Sequence, residues 1–246
     1  MQRFSILDRL IFMITKILAI KHSFAYCLLS VLMISFLLSS CKNEFKETAP
    51  VQVSLKLTNP IISNSISISG GTARIGSFGI SGDRKQGDDV SFLNSFSSET
   101  TADLSSGAIN PLINFDLFQG TYTRLDVNLG LNPTSSSGTI ELLGRFKEEE
   151  EEEFTKFVFR YDSEFMLNWN LAISEEINIV ADQNTEVFIE LDANYLFSGI
   201  PESLWHKCSS ENIDGEEIIF ITSQKNTAIY SILIGRLNAT FSAHIK

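Results

Sequence analysis

From Val51 onward the chain repeatedly alternates apolar and polar residues with a period of two. Val51, Val53, Leu55 and Leu57 alternate with Gln52, Ser54 and Lys56, and Ile66 and Ile68 sit among Ser65, Ser67 and Ser69. Leu125, Val127, Leu129 and Leu131 alternate with Asp126 and Asn128, and Phe157, Phe159 and Tyr161 with Lys156 and Arg160. The pattern returns at Val187, Ile189, Leu191 and Ala193 against Glu190 and Asp192. It returns again at Leu237, Ala239, Phe241, Ala243 and Ile245 against Asn238, Thr240, Ser242 and His244. Successive side chains of a strand point to opposite faces, so the pattern predicts half-buried antiparallel strands with one face on a core and one in water. Clusters of Gly, Asn, Asp and Ser at 82–89, 94–101, 132–138 and 181–185 divide the runs as turns. Many short strands with regular turn signals predict an all-β, antiparallel β-sandwich over residues 51–246. Past residue 50, helical spacing is confined to Leu196, Ile200 and Leu204. These predict a short helical turn near 195–207 that Gly199 and Pro201 weaken.

The first 40 residues follow another pattern. Arg3, Arg9, Lys16, Lys21 and His22 form a basic leader opposed by Asp8, Ser23 to Leu38 is almost wholly apolar, and Ser39 and Ser40 are small. This is the layout of a secretory signal. The apolar run approaches the ~17–20 residues of a membrane-spanning helix, so an uncleaved anchor is the competing reading. A cysteine where such a helix would end favours cleavage. Leu37 to Cys41 reads LLSSC, which resembles the lipobox of bacterial lipoproteins. The resemblance implies that residues 1–40 are a helical signal peptide that is removed. Cys41 then becomes the mature N-terminus, carrying a diacylglycerol and usually an amide-linked chain. One acyl chain holds a protein at a membrane only marginally, at about 0.8 kcal/mol per buried methylene, whereas several hold it durably. Lys42 stands where the enteric sorting rule places the aspartate of inner-membrane retention, so the resemblance implies the outer membrane, on its periplasmic face or at the cell surface. Residues 41–50 form a short polar tether, with an extended reach of about 30 Å. Met13 is an alternative start to Met1, because Lys16 and Lys21 still precede the apolar run.

A second resemblance rests on Asn114 to Asn128, NFDLFQGTYTRLDVN. Phe115 and Leu117 lie on one strand, a Gln-Gly corner follows, and Tyr122 enters the next alternating run. The segment resembles the tyrosine corner of Greek-key sandwiches, in which the hydroxyl bonds back to the upstream backbone. It is also similar to the Gly-Thr-Tyr corner of immunoglobulin-like and prealbumin-like sandwich domains, including a family of bacterial lipoprotein domains of unknown function. That likeness spans Val51 to Asn194 and implies a fold and a location, with no reaction.

Charge narrows the partners. The chain holds 19 Lys and Arg against 30 Asp and Glu. Four of the bases but one of the acids precede Cys41, leaving a net charge of −14 beyond that point. Such a chain repels nucleic acid and anionic surfaces at long range. Cys27 lies in the signal and Cys41 in the lipobox, so Cys208 has no partner for an intramolecular disulfide. Stability then rests on a core to which the 19 Phe contribute.

Candidate chemistry is sparse. Glu148 to Glu153 form an unbroken acidic run between Phe146 and Phe154, and GDRKQGDD at 82–89 carries Asp83, Asp88 and Asp89. Neither matches a calcium-loop spacing, and both read as solvated turns. His206 and Cys208 are two apart, with His244 as the remaining histidine to complete a zinc set or a nucleophilic site. Glu175-Glu176 and Glu216-Glu217 are neighbours, which a strand would point to opposite faces. Trp169 and Trp205 suit sugar stacking or core packing. No catalytic, cofactor or metal residue is assigned; Cys41 is the one assigned site, for lipidation. The expectation is a non-enzymatic binding or structural module held to the membrane at Cys41, with an envelope protein or glycan as partner. The alternatives are a glycan-active enzyme, which needs two carboxylates roughly 5–9 Å apart in a cleft, and a subunit that pairs by β-augmentation.

Overall fold

The computed structural model describes residues 46–96, 100–133, 138–147, 153–171 and 175–246. In chain order its strands are β1 (Thr48–Thr58), β2 (Ile66–Arg84), β3 (Val90–Ser95), β4 (Thr101–Asp103), β5 (Ile109–Asn110), β6 (Asn114–Phe118), β7 (Gly120–Leu131), β8 (Ile140–Phe146), β9 (Thr155–Tyr161), β10 (Phe165–Asn170), β11 (Ile177–Ile179), β12 (Thr185–Asp192), β13 (Ser210–Ile213), β14 (Glu216–Ile221) and β15 (Phe241–Ile245). The helices are α1 (Ala193–Phe197), α2 (Glu202–Trp205) and α3 (Thr227–Leu237), the last followed by a 3-10 turn over Asn238–Thr240. The described chain is mostly β.

A smaller sheet has the order β15-β12-β1-β6. A larger one runs β10-β7-β2-β8-β9-β14-β13, with β3 and β4 also on β2, β5 on β4 and β11 on β7. The antiparallel expectation needs correction at two places. β1 runs parallel to β12 and β14 runs parallel to β9, while the other described pairings are antiparallel. Alternation reports which face is buried, and it is the same whichever way a neighbour runs.

The alternating residues take the faces their pattern predicts. Val51, Val53, Leu55 and Leu57 are buried, as are Leu125, Val127, Leu129 and Leu131 on β7 and Val187, Ile189 and Leu191 on β12. The core has two neighbourhoods. In one the sheets face each other: Phe115 of β6 lies 5.6 Å from Phe78 and 4.5 Å from Phe92, ring centre to ring centre, and Phe241 of β15 lies 5.9 Å from Phe165 of β10. In the other, helices cover β8 and β9. Trp205 stacks on Phe146 at 4.9 Å and meets Phe157 at 5.1 Å, and Phe197 and Tyr230 pack on Phe159. Each such aromatic pair adds about 0.5–1.5 kcal/mol beyond its buried area.

The strand β2 spans both neighbourhoods. Its first half pairs with β8 and its second with β7 and β3, with register shifts between Ile68 and Gly70 and between Ile75 and Ser77. Gly71 has φ +157°, and a Cβ there would lie 2.2 Å from the Glu141 carbonyl oxygen. The glycine permits a bulge that no other residue would fit, letting one strand bend between two partners.

The corner at Gly120 is formed as its letters suggest. Gly120 has φ +144°, Tyr122 is fully buried, and its hydroxyl donates to the Phe118 carbonyl oxygen at 2.6 Å, four residues upstream. Of the turn expected at 82–89, residues 82–84 are the end of β2, and this strand end with the turn after it packs on the corner. Gln86 Oε1 accepts from the Thr121 amide at 2.9 Å, and Arg84 Nη1 donates to the Gln119 carbonyl at 2.8 Å.

The C-terminal alternation is misleading at its start. Leu237 ends α3 and Asn238–Thr240 form the 3-10 turn, so the strand begins at Phe241. The helix was hidden because TAIYSILIGRL is apolar on most sides. Ile229, Tyr230, Leu233 and Leu237 are buried, yet Ile232 also packs on the core and Ile234 is part-exposed, blurring the helical period. Its isoleucines also favour strands. Arg236 near its end donates to the carbonyls of Leu196 and Ser198, tying α3 to the end of α1. Near 195–207, α1 and α2 are separated by Gly199, at φ +66°, and by Pro201.

Candidate functional site

The outer face of the smaller sheet is polar where β1 presents Gln52, Ser54 and Lys56, and β12 presents Glu186 and Glu190 on the same phase. Phe188 stands between those two glutamates, part-exposed, on the side that alternation assigns to water. Ser54, Phe188 and His244 are neighbours across three strands. The His244 ring stacks on Phe188 at 5.2 Å and 10°, and Lys246 Nζ lies 5.3 Å from the Phe188 ring centre. A bare aromatic on a polar sheet face is supported here by its strand neighbours.

A loop rises beside this ring. It follows β4 and is fastened to β1 by amide bonds from Val53 to Ile113 O and from Leu55 to Gly107 O. Asp103 shapes its start by accepting from the Ser105 amide and hydroxyl and the Ser106 hydroxyl, and those bonds hold its carboxyl below the usual carboxylate range. Loop and sheet enclose a cleft of about 340 Å³ whose lining includes Gln52, Ser54, Lys56, Leu112, Glu186 and Phe188. Leu112 is 53% exposed at its edge. The volume sits at the small end of ligand sites, and the make-up suits one: apolar walls with a few polar groups at the rim. Lys56 and Glu186 offer opposite charges, which fits an uncharged or zwitterionic ligand with one flat apolar face. Phe188 is the residue the alternation passed over; its signal was an aromatic at the polar phase of a strand.

The acidic run leads to a second concave region. Glu153, Phe154, Thr155, Lys156, Glu216 and Glu217 line a cavity of about 400 Å³, and Thr155 and Glu217 also border one of about 230 Å³ lined by Phe146, Trp205, His206, Cys208 and Ser210. Glu148 to Glu152 lie outside the described residues. His206 and Cys208 therefore share a cavity wall with Glu217. Their chemistry is subdued: the Cys208 thiol donates to Leu204 O at 3.4 Å, and burial pushes its pKa up, away from the thiolate a nucleophile needs. His206 lies 3.8 Å from Glu202. Glu217 accepts from Ser210 Oγ and Asn212 Nδ2, bonds that lower its pKa, the opposite direction from a general acid. Glu216 pairs with Lys156 at 2.5 Å. Trp205 is buried, and among the described residues its indole N–H has no partner.

The remaining candidates are scattered. At the end of β2 Asp83 pairs with Arg124 at 3.1 Å, and Arg84 Nε donates to Asp88 O in the turn that follows. Glu176 pairs with Lys85 at 2.5 Å. Trp169 on β10 is half-buried against the core. Cys41 lies outside the described residues. Among the described residues no three His, Cys, Asp or Glu side chains converge as a metal set. Adding a chelator should leave the melting temperature unchanged; a fall of several degrees, restored by calcium or zinc, would assign the acidic turns a cation. No protein-family model, no curated protein and no solved structure matches this chain.

Proposed function

We propose that the protein is a lipid-anchored lipoprotein of a bacterial outer membrane, acylated at Cys41, whose β unit is a non-enzymatic binding module. The observation that carries the reading is LLSSC at residues 37–41 followed by a strand that begins at Thr48. Six residues, 42–47, separate the acylated cysteine from folded chain, a reach of about 20 Å, shorter than the nine-residue tether that alternation suggested. The unit itself is read as a sandwich of the immunoglobulin-like or prealbumin-like kind, supported by the Tyr122 corner and by the aromatic contacts between its sheets. The parallel pairings and the helical layer are additions to that plan. The cleft beside Phe188 is the binding site in this reading, with an envelope glycan or protein as its ligand.

A β-augmentation role has one observation behind it. β13 ends the larger sheet's order, and Ile213 on it is 43% exposed. The glycan-active enzyme draws less support, since the bonds on Glu217 hold it ionised.

Cys41→Ala should leave an unprocessed precursor with no attached lipid. Mass spectrometry of the mature N-terminus decides it: an intact peptide running through residue 41 without acyl mass on Cys41 overturns the proposal.

A further inference from the structure

We infer that the rim of the β unit next to the tether rests on the lipid surface, with Phe118 and Val180 entering its interfacial layer. The inference deepens the anchor reading and rests on it.

Several strand ends meet at this rim. β1 starts there, and its first residue, Thr48, pairs with Phe118 at the end of β6. The Gln119 amide donates to Glu47 O at 2.9 Å. β7 starts at Gly120, opposite Ile179 of β11, and Gln119 Oε1 accepts from the Ala181 amide at 3.3 Å. Phe118 and Val180 are thus brought to the two sides of one corner, 41% and 39% exposed. Single exposed apolar residues are ordinary. Two on the rim where the chain leaves for its lipid are placed where lipid is within reach. Six residues span at most about 20 Å, less than the diameter of a unit of this size, so the rim has little freedom to turn away. Arg84 lies 5.1 Å from the Phe118 ring centre and would hold its face at headgroup depth.

Charge does not drive the contact. Lys46, Arg84 and Lys85 are outnumbered by Glu47, Asp88, Asp89, Glu176 and Asp182 nearby in the chain or paired with them. The contact is therefore apolar and suited to a zwitterionic leaflet. The acidic residues Glu153, Glu216 and Glu217 lie toward the opposite end of β2, where Ile66 pairs with Phe146, and so point away from the bilayer.

The test uses the processed chain purified from membranes and reconstituted in zwitterionic phosphatidylethanolamine–phosphatidylcholine vesicles with brominated acyl chains. Phe118→Trp and Val180→Trp should each add a fluorescence component that is blue-shifted and quenched several-fold more than that of Ile213→Trp at the far end. Wild-type protein supplies the background of Trp169 and Trp205. Reporters at 118 and 180 quenched no more than that at 213, on a chain whose Cys41 carries acyl mass, overturn the inference and leave the anchor standing. A chain without acyl mass on Cys41 overturns both.

Discussion

Tyr122→Ala should lower the unfolding free energy by about 3–5 kcal/mol, in the range of other large buried aromatics cut to alanine. The ring is fully buried, and its hydroxyl closes the corner by bonding Phe118 O. Tyr122→Phe keeps the ring and removes that bond. A net hydrogen bond is worth about 0.5–1.5 kcal/mol and an orphaned acceptor costs about 1–3, so this change should cost about 1 kcal/mol or somewhat more. Denaturant unfolding of the unit measures both. A loss below about half a kcal/mol for Tyr122→Ala, the level of ordinary surface changes, would show that the corner contributes no stability. Alkaline pH gives an independent check. Burial pushes the Tyr122 phenol up to about 12, with Arg84 pulling the other way. The folded state thus favours the protonated phenol. That stabilisation is whole below the ordinary phenol value near 10 and is lost as pH climbs toward 12. Tyr122→Phe should flatten that part of the alkaline unfolding curve.

Trp205→Ala should cost a similar 3–5 kcal/mol, because the indole fills the space between Phe146 and Phe157 under the helical layer. Trp205→Phe should cost far less, about 1 kcal/mol or below. It leaves a smaller void, and it removes an N–H that has no partner among the described residues, a group that costs about 1–3 kcal/mol to keep buried unpaired. The pair of variants separates packing from polarity. If Trp205→Phe is as damaging as Trp205→Ala, the indole N–H has an acceptor in solution, and the small cavity beside His206 and Cys208 becomes the place to look for it.

The faces of β1, β7 and β12 were legible because each is decided within one short run of sequence. The corner was legible for the same reason: Phe118, Gly120 and Tyr122 span five positions. Direction of pairing was not, since β1 meets β12 across more than 120 residues and nothing in either run encodes orientation. β2 was partly hidden by its composition. Its start was legible at Ile66 and Ile68, but the glycine-rich middle of ISISGGTARIGSFGISGDR carries no sustained alternation, and Gly82 to Arg84 was read as part of a turn. α3 was hidden by an apolar surface too broad to show a helical period. Of the cleft, only Phe188 left a trace, one aromatic at a polar phase. Its other wall depends on Val53 and Leu55 fastening a distant loop, which is a tertiary event. Cys41, legible from five letters, belongs to a segment the described structure does not include.

The order β15-β12-β1-β6 has a consequence for how the chain reaches its fold. The four strands of that sheet come from residues 48–58, 114–118, 185–192 and 241–245, so its first strand meets β6 mid-chain but waits for β12, and the sheet for β15, until late in synthesis. Distant pairings of this kind slow folding, because loop closure precedes any gain from contact. A chain that cannot close its smaller sheet until β12 and β15 have emerged stays incompletely folded while it is being made. Under the lipoprotein reading proposed above, late closure of the smaller sheet suits a chain that crosses a translocon before its fold is complete.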